Sequence, residues 1–301
     1  MRPAGPRSGA PGRPSAGRAS HDVIAATYSA ERDASVARVP ESGVTVDLTG
    51  ASALVVGGAG GFGEQTVRKY AAEGLKVVIA DVAEEKATSI VAELGDSVEF
   101  IHTDVTSDES VDAAVAKAQS LGTLRVTVIV NGGPGGGAAQ RIVSRDGKPM
   151  PMEAFLQTTE YYYTATYRVL SRAAASMQGN EPLADNQRGV VIMTASIAGF
   201  EASPGQTSYA MAKGGVIALT LAAARDLAPT GIRVMGIAPG TFLTPAFPDP
   251  VKADELYGKM VPNPKRMGRP AEYAKLAYQI ADNDYLNGYV IRLDGGLRFG
   301  A

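Results

Sequence analysis

The chain has 301 residues, 45% of them hydrophobic and 20% charged, enough to bury the core of one large α/β domain. A formal net charge of −2 lacks the basic balance of a nucleic-acid binder, and the absence of cysteine excludes disulfides, thiolate nucleophiles and zinc–cysteine sites. Only His21 and His102 offer imidazole, neither within a carboxylate cluster, and no apolar run approaches the ~18 residues of a membrane span. No metal, membrane or nucleic-acid partner is expected, and the protein reads as soluble and cytoplasmic.

Residues 1–42 stand apart. Arg2, Arg7, Arg13 and Arg18 are interrupted by Pro3, Pro6, Pro11 and Pro14, which exclude an amphipathic targeting helix, and no signal-peptide core is present. The stretch reads as a disordered Pro/Gly/Arg-rich extension or the product of an upstream translation start, with a basic tether as the functional alternative. The domain proper is expected over 43–301.

Within it, Ala53–Val56 reads as a strand that runs into Gly57-Gly58-Ala59-Gly60-Gly61-Phe62-Gly63 and then a helix over Glu64–Glu73. Such a turn lets the backbone approach a pyrophosphate at a helix N-terminus, which makes Gly57, Gly61, Phe62 and Gly63 candidate cofactor-binding residues. The next strand, Lys76–Ala80, ends in Asp81. A carboxylate there accepts from a ribose 2′-hydroxyl and repels a 2′-phosphate, favouring NAD over NADP. Helices follow over Glu84–Leu94 and Asp108–Leu121, with strands at Val98–His102 and Val126–Val130. After a long glycine-rich loop, Gly132–Pro151, one helix is predicted over Met152–Gln178 and a buried strand over Gly189–Thr194. A helix opening at Ser208 carries Tyr209 and Lys213; strands at Ile232–Ile237 and Tyr289–Leu293 complete the pattern. This alternation predicts a single-domain Rossmann fold, a doubly wound parallel sheet.

Tyr209 and Lys213, four apart, share one helix face, with Ser196 thirteen residues before Tyr209. A phenol of pKa ~10 needs help to act at neutral pH, and an adjacent ammonium supplies it. Tyr209 is therefore the candidate general acid/base, Lys213 the group that lowers its pKa, and Ser196 the holder of the substrate oxygen.

These motifs resemble the short-chain dehydrogenase/reductase superfamily, and within it the type-2 3-hydroxyacyl-CoA dehydrogenases, also called 17β-hydroxysteroid dehydrogenase type 10. The resemblance covers Val46 to Phe299 and is densest in Gly189–Gly199, Ala224–Val234, Ile237–Gly240 and Tyr285–Gly295. It implies NAD-dependent interconversion of a secondary alcohol and a ketone, with a 3-hydroxyacyl thioester as the leading small-molecule substrate. By the same resemblance Lys213 bonds the nicotinamide ribose, Asp104 and Val105 flank the adenine, and Asn131 and Gly132 lie beside the cofactor. Pro239, Gly240, Phe242 and Thr244 would border the nicotinamide, and a homotetramer or homodimer is implied. Two departures stand out: Pro134 replaces a family glycine, and Tyr162, within Tyr161-Tyr162-Tyr163, occupies the place of an asparagine that holds a proton-relay water. Tyr162 then either fills space, replaces the relay or narrows the pocket. The rival readings are a specialised biosynthetic ketoreductase, a non-redox lyase or dehalogenase, and a cofactor sensor.

Overall fold

The structure, a computed structural model, describes Met1, residues 46–132 and residues 140–299. The rest of the 1–42 extension and the Gly133–Ala139 stretch containing Pro134 lie outside the described residues. The apolar runs form strands β1 (Ala51–Val56), β2 (Lys76–Asp81), β3 (Val98–His102), β4 (Thr123–Ile129), β5 (Gly189–Thr194), β6 (Ile232–Pro239) and β7 (Val290–Leu293). All pair in parallel in one sheet of order β3-β2-β1-β4-β5-β6-β7.

Burial explains the shape. The central strands are buried along almost their whole length, so both faces need cover. Alternate residues supply the two cores: Leu54, Val56, Val191 and Met193 face one layer, and Ala53, Val55, Val190 and Ile192 the other. The first layer is closed by helices α3 (Asp108–Leu121), α5 (Ala165–Gln178) and α6 (Thr207–Leu227). The second is closed by α1 (Gly61–Ala72), α2 (Glu84–Leu94) and α8 (Pro270–Ala281). Strand order reverses between β1 and β4, which places a crevice beyond their C-terminal ends.

Three expectations shift most. β4 starts at Thr123, not Val126, because Arg125 is buried in the strand with its guanidinium on the carbonyls of Arg188 and Glu181 (3.0 and 2.7 Å). α1 begins at Gly61, so Gly61–Gly63 form its first turn. The helix expected over Met152–Gln178 is divided into α4 (Met152–Thr159), a π-helical turn over Glu160–Thr164, and α5.

Candidate active site

At the nucleotide end, β1 passes into α1 through a turn that only glycine can make. Gly57 has φ +77°, and a Cβ on it would lie 2.8 Å from the Val130 carbonyl oxygen. A Cβ on Gly63 would lie 2.0 Å from the Gly57 carbonyl oxygen, so the strand and helix touch backbone to backbone. Gly60 caps α1 without a side-chain hydrogen bond, leaving the first N–H groups to a ligand. Thr244 and Pro245 lie over Gly61, with Pro245 Cδ 2.9 Å from where a Gly61 Cβ would be.

Asp81 ends β2 and steadies this turn, its carboxylate accepting from the N–H of Ala59 (2.9 Å) and of Ala83 (3.0 Å). Asp104 accepts from the Thr106 N–H (2.8 Å) and hydroxyl (2.7 Å) beyond β3, bonds that hold its carboxyl below the usual range. Val105 is buried, and its carbonyl receives Arg168. Phe62 lies in the uncapped first turn of α1, where its backbone N–H, not its ring, is available to a cofactor. Its ring stacks on Tyr273 (4.7 Å) and meets Phe242 edge-on (5.0 Å), so it packs between α1 and α8. Phe242 is likewise buried, in contact with Phe62 and paired to Gly268. Gly240, after Pro239, donates to the Leu293 carbonyl (3.0 Å), tying the end of β6 to β7.

At the chemical end, β5 delivers Ser196 and α6 delivers Tyr209 and Lys213. The Ser196 hydroxyl accepts from the Ala198 N–H (3.1 Å) and lies near enough to the Tyr209 phenol to lower its pKa. Lys213 is 2% exposed, and its Nζ donates to the Thr194 carbonyl (2.7 Å). The expected electrostatics are not those of the free protein. Burial pushes the Tyr209 phenol up, against a smaller lowering by Ser196, and burial pushes Lys213 down to about 7. Nζ lies 5.8 Å from the Tyr209 ring centroid and is occupied by a carbonyl, so desolvation outweighs mutual assistance.

The tyrosine run falls on the π turn, and its widened backbone sends the three rings to different places. Tyr161 donates its hydroxyl to the Gly132 carbonyl (3.0 Å), while its own carbonyl takes the Asn131 amide (2.5 Å). Burial, then the carboxylates of Asp81 and Asp104, push its phenol up. Tyr162 meets Tyr209 edge-to-face at 4.9 Å and lies 4.9 Å beneath Lys213 Nζ. Tyr163 packs on α6 at Gly215, where a Cβ would come within 2.9 Å of the ring. Thr166 donates to the Tyr162 carbonyl (2.9 Å) and sits 3.3 Å from Asn131 Oδ1.

Two residues absent from the sequence reading complete the site. The Thr194 hydroxyl donates to the Ile129 carbonyl (2.6 Å), so its short contact with the Tyr273 hydroxyl (2.7 Å) has tyrosine as donor. No local signal reveals this, because Thr194 and Tyr273 lie 79 positions apart. Among the described residues no helix is long and apolar enough to cross a membrane, and no group of three or more His, Cys, Asp or Glu is placed to hold a metal ion.

Comparison with known proteins agrees with this geometry. A family model for short chain dehydrogenase matches residues 51–254. The chain is 40% identical over 252 residues to 3-hydroxyacyl-CoA dehydrogenase type-2 of Homo sapiens, spanning 83% of this chain and 96% of that one. It is 39% identical over 255 residues to the Drosophila melanogaster protein of the same name, spanning 83% and 98%. The crystal structure of 3-hydroxyacyl-CoA dehydrogenase type-2 from Mycobacterium avium has a TM-score of 0.80 and 50% identity, covering 83% of this chain and 97% of that one. With its parallel Rossmann sheet and these relatives, the chain belongs to the short-chain dehydrogenase family and is an oxidoreductase acting on CH–OH groups.

Proposed function

We propose that the protein interconverts a 3-hydroxyacyl thioester and the corresponding 3-keto compound, with NAD as cofactor. The observation that carries this reading is the Ser196 hydroxyl beside the Tyr209 phenol, with Lys213 one turn away on α6. The glycine turn suits NAD: Gly57, Gly61 and Gly63 permit the tight packing of strand on helix that leaves the uncapped N–H groups of α1 for a pyrophosphate, and Asp81 offers a carboxylate to the adenosine ribose. The resemblance assigns Phe62, Asp104, Val105, Asn131 and Gly132 to the same cofactor, and Pro239, Gly240, Phe242 and Thr244 to its nicotinamide end. NAD, when bound, supplies the hydride acceptor.

In the oxidising direction Ser196 orients the substrate hydroxyl and Tyr209 takes its proton; reduction returns it. Lys213, anchored by the Thr194 carbonyl, keeps its remaining donors for the nicotinamide ribose. Acyl specificity belongs to two segments. Residues 140–150 form a small hairpin with Val143 opposite Pro149, and Gln140 pairs with Gln206 at the start of α6. Ile142 and Val143 are exposed on it and offer apolar surface to an acyl chain. The second segment is Phe242–Val261, which contains α7 (Pro250–Tyr257). The resemblance to the type-2 dehydrogenases also supports a homotetramer or homodimer, which light scattering of the purified protein checks; a cytoplasmic location is proposed from the sequence alone.

NADH absorbance with a panel of 3-hydroxyacyl-CoAs and bulkier secondary alcohols tests the activity. Turnover is expected with the thioesters, and Tyr209→Phe is expected to abolish it while NAD binding persists. NAD binding without turnover of any alcohol would replace this reading by a cofactor sensor. Preference for a bulky alcohol would favour a specialised ketoreductase, an alternative that the ring of Tyr162 against Tyr209 supports.

A further inference from the structure

Lys213, Tyr162 and Tyr209 form a stack in which one ring touches both the proposed acid/base and the lysine one turn beyond it. The Tyr162 face lies under the Lys213 ammonium at 4.9 Å, and the ring meets Tyr209 at 4.9 Å with an interplanar angle of 83°. The π turn aims it there: Asn131 holds the Tyr161 carbonyl on one side, and Thr166 holds the Tyr162 carbonyl on the other. Tyr161 packs edge-on against Tyr162 at 5.2 Å and closes the stack. The geometry points to Tyr162 as a positioning residue, whose aromatic face holds the charged form of Lys213 in place beside Tyr209. This deepens the proposed dehydrogenase chemistry and rests on it.

The physical reason is the cost of burial. Lys213 is 2% exposed, and its one hydrogen-bond acceptor among the described residues is the Thr194 carbonyl. No described carboxylate pairs with it. The titratable groups facing it are Tyr162 from the π turn and Tyr209 from its own helix, with Tyr273 reached through Thr194. After the Thr194 carbonyl, the Tyr162 ring quadrupole is then the next source of negative potential for the ammonium. Burial keeps the Tyr162 phenol protonated, so the ring acts without titrating across the working pH range.

The test compares Tyr162→Phe, which keeps the face, with Tyr162→Leu, which keeps bulk and removes it. The pH profile of kcat/KM for alcohol oxidation is recorded with NAD, and kcat and KM are separated. Loss of a desolvated cation–π contact is worth about one pH unit. In Tyr162→Leu the rising limb is expected to move up by about that much and kcat at neutral pH to fall about tenfold, with KM for NAD within about twofold. In Tyr162→Phe the limb is expected to stay where it is. An unmoved limb in the leucine variant, or a limb displaced equally in both variants, overturns the proposal. Should the leucine variant fail to fold, a displaced limb in Tyr162→Phe still overturns it, and an unmoved one supports it.

If the parent turns over no alcohol, the dehydrogenase reading fails separately. The tyrosinate absorbance of Tyr209, isolated as a difference against Tyr209→Phe, then carries the test. Ionisation about one unit higher in Tyr162→Leu supports the ring's role, and unchanged ionisation overturns it.

Discussion

Asp81 serves the fold and the cofactor with one carboxylate. Its two oxygens accept from Ala59 and Ala83, and the same group faces the site proposed for the ribose. Asp81→Asn keeps an acceptor for the Ala59 N–H but removes the charge that repels a 2′-phosphate. NAD affinity is expected to fall about tenfold, by loss of a charge-assisted hydrogen bond, and NADP to gain measurably; fluorescence titration with both nucleotides checks this. Thr194 offers a second case. Thr194→Val leaves the buried Tyr273 hydroxyl without its acceptor and is expected to cost about 1–3 kcal/mol in urea unfolding. That Tyr209 and Lys213 share one face could be read from sequence because a helix imposes its own spacing. The sign of their electrostatics could not, because burial by distant elements sets it: Lys213 is pushed down, not held fully charged.

Among the elements, the turn from β1 into α1 tolerates least. Gly63→Ala would bring a Cβ to 2.0 Å from the Gly57 carbonyl oxygen, so backbone must move. A loss of about 1–3 kcal/mol is expected, read as a fall in the unfolding midpoint, together with weakened NAD binding. α8 depends on Glu272, which accepts from the Arg269 N–H (2.8 Å) at the helix start and pairs with both Arg266 nitrogens (3.0 and 2.6 Å). The Arg266 guanidinium, with that N–H, holds the Glu272 carboxyl down at about 2. Glu272→Gln is expected to cost about 1 kcal/mol, since the pair is partly exposed and the cap is partly kept. Element positions followed the hydrophobic period closely, yet the interruption at Glu160–Thr164 did not show. A π turn carries no composition signal, and the local pattern through Tyr161, Tyr162 and Tyr163 suits a continuous helix equally well.

At the level of the molecule, layering follows from strands buried on both faces, and that pattern is written in the apolar runs of the central strands β1, β4, β5 and β6. Crossings between layers are not written there, because they join single polar atoms from remote segments. The pH dependence of stability reports one of them. The unfolded chain keeps the Lys213 proton up to its ordinary 10.5, whereas the folded protein releases it at about 7. Stability is therefore expected to rise with pH across that window, and Lys213→Met is expected to flatten the rise in urea titrations. Above 10.0 the raised phenols of Tyr209 and Tyr273 act in the opposite sense, since the unfolded state loses those protons first. Deleting residues 1–42 is expected to leave both the unfolding midpoint and turnover unchanged.

Thr194 gives its carbonyl to Lys213 from one layer and its hydroxyl to Tyr273 from the other. The central sheet is thus pierced at one point by a polar thread. A change confined to the α8 side, remote in sequence from Ser196 and Tyr209, has a mechanical route to the amine on α6 that bypasses the reaction cleft.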